Sequence, residues 1–455
     1  MSATSSGAVA DTLDGLPNPR RLLAFLTVAL GIVMAVLDGT IVNVALPVIA
    51  ADQHATNAES IWIVTGYQLA VSVALLPMAA LGESIGFRKV FAWGIVAFSA
   101  ASLLCAYADS LLVLTLARIL QGIGGAALMG ISGALVRHIM PAHHLGRGIS
   151  GIAVTVAVSA AAGPTIAAAI LAVANWHWLF LINVPLGIIC FAIGRITLPE
   201  TPHSGKPLDV GSVVLNTLAI GLLISGLSSI GIRAVAWWLP VLQIVLAVVA
   251  GYFLVQRERA QQAPMLPLDL FRILPFRLSV VASITSFVAQ MLMTVSLPFF
   301  FSGMLGYTEV ETGLLMTPWP AATAIVAPIS ARLTERFAAA KISGLGSLIF
   351  ALGLLWFAFL PTHAATWDIA VRLAVCGAGF GLFQSPNNKV MISSAPRLRS
   401  GGASGMQSTA RLLGQSAGAA LAAIIFALSA GYNLPLTMGI AAAFALAAAI
   451  LSIWR

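Results

Sequence analysis

The run LLAFLTVALGIVMAVLDGTIVNVALP, residues 22–47, is apolar almost throughout and carries a single charge, Asp38. At about 1.5 Å of rise per residue, a helix of this length covers the roughly 30 Å of a bilayer's hydrocarbon core. The segment therefore reads as a membrane-spanning helix. An ionised side chain near the middle of such a helix costs roughly 2.5–3.5 kcal/mol on insertion scales. Asp38 contributes nothing to apolar packing, so it calls for a partner or a function.

Runs of this kind recur along the chain. Of 455 residues, 59% are hydrophobic and only 8% charged, whereas a soluble domain carries about a quarter charged residues. Hydropathy and punctuation predict helices over 22–47, 59–82, 90–107, 110–137, 147–173, 177–198, 209–230, 235–256, 275–301, 311–333, 340–361, 367–391, 402–429 and 432–454. Joins carry Gly86, Pro141, TPHSGKP (201–207) and PMLPLDLFRILPFR (264–277). No polar stretch is long enough for a separate soluble domain. The fold class expected is an all-α membrane protein with fourteen transmembrane helices. Cys105, Cys190 and Cys376 fall within apolar helices at no metal-ligand spacing and read as small packing residues. Residues 1–19 include Asp11 and Asp14 and lack a basic start and a small-residue cleavage site. The first span is thus expected to be a retained helix and not a secretory signal.

The basic residues test this count. If the amino terminus is cytoplasmic, 19 of the 23 Lys and Arg residues fall in inner segments, from Arg20 and Arg21 through Arg88 and Lys89 to Lys206 and Arg455. Arg233 is the one basic residue in an outer loop, while Arg118, Arg372 and Arg411 lie within helices. One missed span would invert every later loop, so this asymmetry supports the number and direction of the spans, with both termini cytoplasmic. The net charge of +8 then records insertion topology, not nucleic-acid binding. Trp62, Trp176, Trp178, Trp237, Trp238 and Trp367 are placed near outer helix ends, as an interfacial belt would be.

The two halves resemble each other. At a shift of 254, GISGIAVTVAVSAAAG (148–163) lies over GASGMQSTARLLGQSA (402–417), and Arg118 falls on Arg372. At a shift of 252, LGESIGFRK (81–89) lies over LTERFAAAK (333–341), pairing Glu83 with Glu335. The chain divides into a tail (1–21), a six-helix bundle (22–198), a linker with two inserted helices (199–274) and a second six-helix bundle (275–455). Duplicated halves that rock about a central site are a common plan for transporters.

LDGTIVNVALP (37–47), AALGESIGFRK (79–89), RILQGIGGA (118–126), SAAAGPTIAAA (159–169), WHWLFLINVPLG (176–187) and GGASGMQSTARLLGQSAGAAL (401–421) together resemble the major facilitator superfamily, in its fourteen-helix drug:proton antiporter branch. The resemblance spans almost the whole chain. It implies a single-chain secondary transporter driven by a proton gradient, without cofactor, in the inner (plasma) membrane. Its partners would be an amphipathic small molecule, protons and the bilayer. In the family, the inner loop's acid and bases clamp the two halves together. Here those positions are Glu83, Gly86, Arg88 and Lys89, with Glu83 standing where aspartate is usual and Ala79 where glycine is. Glu335, Arg336 and Lys341 form a weaker copy. Arg411 resembles a residue typical of the branch, implying that it stabilises one conformation.

Residue chemistry adds a mechanism. Counting along their helices puts Asp38 and Arg118 both about 12–14 Å below the outer boundary. They are expected to face one central cavity and to pair when the aspartate is ionised, with protonation weakening the pair. A static ion pair is the plainer alternative. Gly163-Pro164 is expected to kink the fifth helix and admit a close neighbour. Gln68, Gln121, Gln290, Gln384, Asn387 and Asn388 are candidate polar contacts to substrate, and Tyr67, Phe383, Met291 and Met293 candidate apolar walls. GIGG (122–125) follows no strand and is not a dinucleotide loop. No catalytic, metal-ligating or cofactor-binding set is apparent. Proton-coupled export is the leading reading. An exporter of one native metabolite and a membrane sensor that has lost transport are the alternatives.

Overall fold

The computed structural model describes residues 15–53, 57–205, 207–230, 236–259, 261, 264–307, 309–361, 364–428 and 433–455. Residues 1–14 of the tail, Lys206 and Arg233 lie outside that set. The described residues are helical, without strands. The first bundle comprises α1 (Arg20–Asp52), α2 (Asn57–Ile85), α3 (Phe87–Ala106), α4 (Leu111–Gly130), α5 (Ser132–Ile139), α6 (Leu145–Val173), α7 (His177–Leu181) and α8 (Asn183–Thr197). The insertion is α9 (Val210–Ser229) and α10 (Trp238–Arg259). The second bundle comprises α11 (Leu274–Gly303), α12 (Glu309–Met316), α13 (Pro318–Leu333), α14 (Ala339–Ala358), α15 (Thr366–Ser394), α16 (Ser400–Leu428) and α17 (Leu434–Ile453).

Three spans are interrupted helices: α4 runs into α5 at Ile131, α7 into α8 at Ile182, and α12 into α13 at Thr317. Among the described residues, 13 segments are long and apolar enough to cross a membrane, and the 29-residue α6 makes the fourteenth span. Two sequence boundaries move. The first helix passes its expected end at Pro47 and runs to Asp52. The span expected as one helix over 311–333 breaks where Pro318 begins a new one, because proline supplies no N–H to the preceding turn.

The halves repeat each other in atomic detail. A Cβ on Gly124 would lie 2.7 Å from the Phe98 backbone nitrogen, and one on Gly379 would lie 2.5 Å from that of Phe350. Likewise Gly122 sits on the Tyr67 carbonyl oxygen (2.6 Å) and Gly377 on that of Trp319 (2.4 Å). The partners are 252 residues apart, but the glycines are 255 apart. The fourth spans therefore align at 255 and not at 254. Arg118 matches Leu373, and Arg372, one position earlier, points about 100° away around its helix. Arg372 turns instead to Asp368, one turn earlier (Nη2–Oδ2 2.9 Å), and to the Trp356 carbonyl and ring.

The inserted pair packs peripherally. α9 lies against α2 and α16, held by an Asn216 Nδ2–H that donates to the Val73 carbonyl (2.8 Å), and α10 packs on α9. Asp209 caps α9 by accepting from the Ser212 N–H and clasps Arg257 of α10 (2.5 Å). The Arg257 guanidinium and Ser212 hold the Asp209 carboxyl below the usual carboxylate range, so the clasp stays charged near neutral pH. Trp62, Trp178, Trp237, Trp238 and Trp367 are exposed. Trp176 departs from the expected belt. It is buried and donates its indole N–H to Asp52 (3.1 Å).

Where backbones touch through glycine, a larger side chain must push the helices apart, and overpacking of this kind costs roughly 1–3 kcal/mol. Gly124→Val and Gly379→Val are each expected to lower the thermal unfolding midpoint in detergent, and by similar amounts.

Candidate functional site

Five spans of the first bundle converge on Asp38. Its Oδ1 accepts from Gln121 Nε2 and from Asn183 Nδ2, each at 2.8 Å. Its Oδ2 accepts from Arg118 Nη1. Arg118 also donates from Nε to the Ile63 carbonyl (3.1 Å) and from Nη1 to Gln121 Oε1 (2.6 Å). Gln121 reaches Ser102 Oγ (2.8 Å). The guanidinium carbon lies 4.2 Å from the Tyr67 ring centroid, and the Tyr67 hydroxyl donates to the Ala35 carbonyl (2.8 Å). Neither charged side chain has any exposed surface. The charges offset one another, and the donors around the carboxyl satisfy its oxygens within the bundle.

The structure thus brings together Asp38, Arg118, Gln121 and Tyr67, but not in the expected place. The central cavity, of about 50 Å³, is lined by Ile32 from α1 and by neither Asp38 nor Arg118. Asp38 lies six residues beyond Ile32, which turns it about 120° away, into the bundle. Tyr67 and Gln121 consequently belong to the carboxylate's surroundings and not to a substrate wall. Asn183 and Ser102 were not picked out from sequence. An asparagine alone in the apolar run FLINVPLG was the available signal.

At the end of the molecule that carries Arg20, Arg88 and Lys341, hereafter the basic end, the two bundles are fastened together. Glu83 of α2 accepts from Arg399 Nη1 (2.5 Å) and from the Gly402 N–H at the start of α16 (2.6 Å). Arg399 is also held by Asp269 (2.8 Å). Arg137 caps the last turn of α15 through the Ile392 and Ala395 carbonyls (2.7 and 2.6 Å). Ser150 meets Ser385 (2.5 Å), and Gly133 N–H donates to Ser404 Oγ (3.1 Å). Arg147 pairs with Glu335 (2.9 Å), a more exposed counterpart of Arg399 with Glu83, and both its members are offset by 252 residues.

Glu83 therefore spans the two halves, but the loop's bases do not. Arg88 donates to the Arg195 carbonyl within its own bundle (2.5 Å), and Lys89 is exposed. Gly86 adopts φ of 100°, open to glycine at little cost, and aims the Phe87 N–H at Thr201 Oγ1 (2.9 Å). The glycine expected at Ala79 has its equivalent across the interface. A Cβ on Gly405 would lie 2.8 Å from that of Ala79.

The remaining candidates disperse. Gly163 packs on Thr40 of α1, where a Cβ would come within 2.0 Å of the hydroxyl oxygen. The helix runs on through Pro164, whose ring lies outside the described residues. Gln384 and Arg411 line the central cavity, with Asn388. Gln68 is exposed on α2, and Gln290 donates to Thr294 on its own helix (2.9 Å). Met291 is half-buried against Gly418. Phe383 is core, packed with Ala282 and Ala448, and Met293 is core as well. Asn387 is also withdrawn from the central cavity. It donates to the Ser279 carbonyl (3.1 Å) and accepts from Arg455.

Two helical bundles closed on each other at one end, with a charge pair sealed inside one of them, define a membrane transporter and not an enzyme. The chain belongs to the Major Facilitator Superfamily, whose family model matches residues 28–419 and 278–455. It is 53% identical over 414 residues to the Escherichia coli (strain K12) protein named uncharacterized transporter YebQ, covering 90% of each chain. It is 31% identical to the multidrug resistance protein Stp of Mycobacterium tuberculosis (strain CDC 1551 / Oshkosh), covering 90% of this chain and 76% of that one. The crystal structure of human MFSD10 shares the fold, with a TM-score of 0.70 at 14% identity, covering 96% of this chain and 100% of that one.

Removing one member of a buried ion pair strands the other, at about 3–5 kcal/mol. Arg118→Gln is expected to destabilise the protein on that scale in thermal unfolding, and adding Asp38→Asn should recover a large part of the loss. Glu83→Gln should leave stability nearer wild type but loosen the basic end. The readout is faster modification, by a membrane-impermeant maleimide, of a cysteine placed at Gly402.

Proposed function

We propose that the protein is a proton-driven exporter of amphipathic small molecules, working by alternating access as a single chain. The basic end faces the cytoplasm, both termini lie on that side, and the host bilayer is the cell's inner (plasma) membrane. The observation that carries the reading is the Asp38 carboxyl, held by Arg118, Gln121 and Asn183 with no contact to solvent. A proton added to Asp38 removes the charge that balances Arg118. Arg118 Nη2 already lacks a hydrogen-bond partner among the described residues, so little else can compensate for the lost ion pair. Protonation therefore penalises this closed packing relative to any arrangement in which Arg118 is solvated.

The cycle follows from that asymmetry. With the basic end closed and Asp38 ionised, the carrier is in its outward state, substrate released. Proton uptake from outside weakens the α1–α4 contact and favours opening of the gate at Glu83–Arg399. Loss of the proton to the cytoplasm restores the pair and closes the gate behind the next substrate. The distribution of basic residues supports the direction, and multidrug resistance in the name of a relative supports the cargo class.

The test is transport in proteoliposomes with an imposed pH gradient, using a panel of lipophilic cations, neutral drugs and organic acids. Movement of at least one panel member should depend on the gradient, and Asp38→Asn should reduce that movement to the level of protein-free liposomes. Gradient-driven, pH-dependent export surviving in Asp38→Asn would refute proton coupling at this residue.

A further inference from the structure

We infer that Arg411 is the anchor for the anionic group of the transported molecule, so that the cargo is an amphipathic organic anion. This rests on the exporter reading and narrows it. Arg411 lies 11 residues into α16, about 16 Å from the basic end, on the wall of the cavity between the two bundles. Among the described residues it is the only charged one on that wall. No ion pair or hydrogen bond engages its guanidinium among the described residues, and its Nε is buried without an acceptor. Asp38 lies about 10 Å further from the basic end and is committed to Arg118.

A half-buried guanidinium this deep in a membrane span, its Nε buried and without a counter-charge, is costly and persists where a function repays it. By contrast Arg118, Arg137, Arg372 and Arg399 have each found a carboxylate or a carbonyl. A second orphan lies one turn away on the same wall: Gln407 Oε1 is buried with no partner. Gln384 and Ser408 add neutral polar groups nearby, and Ile32, Val156 and Phe287 supply apolar surface. One positive charge, neutral hydrogen-bonding groups and an apolar wall suit a carboxylate or sulfonate attached to a ring system. In the closed state the cavity, about 50 Å³, is the size of such a headgroup and not of a whole drug. It is the floor of a site that widens as the gate opens.

The discriminating ligands are a matched pair, 8-anilinonaphthalene-1-sulfonate and N-phenyl-1-naphthylamine, which share a ring framework and differ in the sulfonate. Binding is titrated on the full chain in nanodiscs. The wild type should bind the anion saturably and more tightly than the neutral compound. Arg411→Gln should weaken anion binding roughly ten- to a hundredfold, the worth of a charge-assisted hydrogen bond, leave the neutral compound unchanged and unfold no earlier than wild type. Arg411→Lys should keep most of the preference. Equal binding of the two compounds, no saturable anion binding by wild type, or an unaltered anion affinity in Arg411→Gln overturns the assignment. Because Asp38 lies outside the cavity, Asp38→Asn should retain the anion preference. A lost preference beside intact Asp38-dependent transport defeats the anion site alone, and the converse defeats the coupling alone.

Discussion

A charge inside a membrane protein must be matched within the protein, since no water is at hand to match it. That constraint organises this molecule. Asp38 and Arg118 sit on different helices at the same depth and share one neutral unit, completed by the amides of Gln121 and Asn183. Glu83 and Arg399 meet the same constraint across the seam between the bundles, where Asp269 and the Gly402 N–H complete the set. Arg411 is left unmatched among the described residues, and it lines the cavity between the bundles.

Duplication explains how these units came to be arranged as they are, and where the copies part. Glu83–Arg399 and Glu335–Arg147 are the same contact made twice, once from each half, but only the first is shielded from solvent. Screening leaves an exposed pair worth little, so the fastening at the basic end is energetically lopsided. Among the described residues the Asp38–Arg118 unit has no twin. The second half's fourth span is displaced by one residue relative to the simplest sequence alignment, which carries Arg372 off to Asp368 and Trp356.

The membrane fold was legible because composition, helix length and charge asymmetry are properties of whole segments. The meeting of Asp38 with Arg118 was legible too, since equal depth on neighbouring helices follows from counting residues. Orientation about the helix axis was not. It placed the pair inside the bundle, moved Phe383 and Asn387 out of the cavity wall, and gave Glu83 a partner 316 positions away in place of the nearby Arg88. Such facts depend on which face of each helix a neighbour covers. One chain's sequence states that weakly where nearly every face is apolar. Asn183 shows the complementary signal: a polar residue standing alone in an apolar span usually has a buried appointment.

The most direct measurement is the distance between spin labels at Lys89→Cys and Arg336→Cys, one on each bundle at the basic end, in a chain with Cys105, Cys190 and Cys376 replaced by serine. If the buried pair is the switch, acidification lengthens that distance in the otherwise native chain, and Asp38→Asn holds it long at every pH. A distance that ignores pH, or an Asp38→Asn protein that responds to acid as the native one does, would place the switch elsewhere.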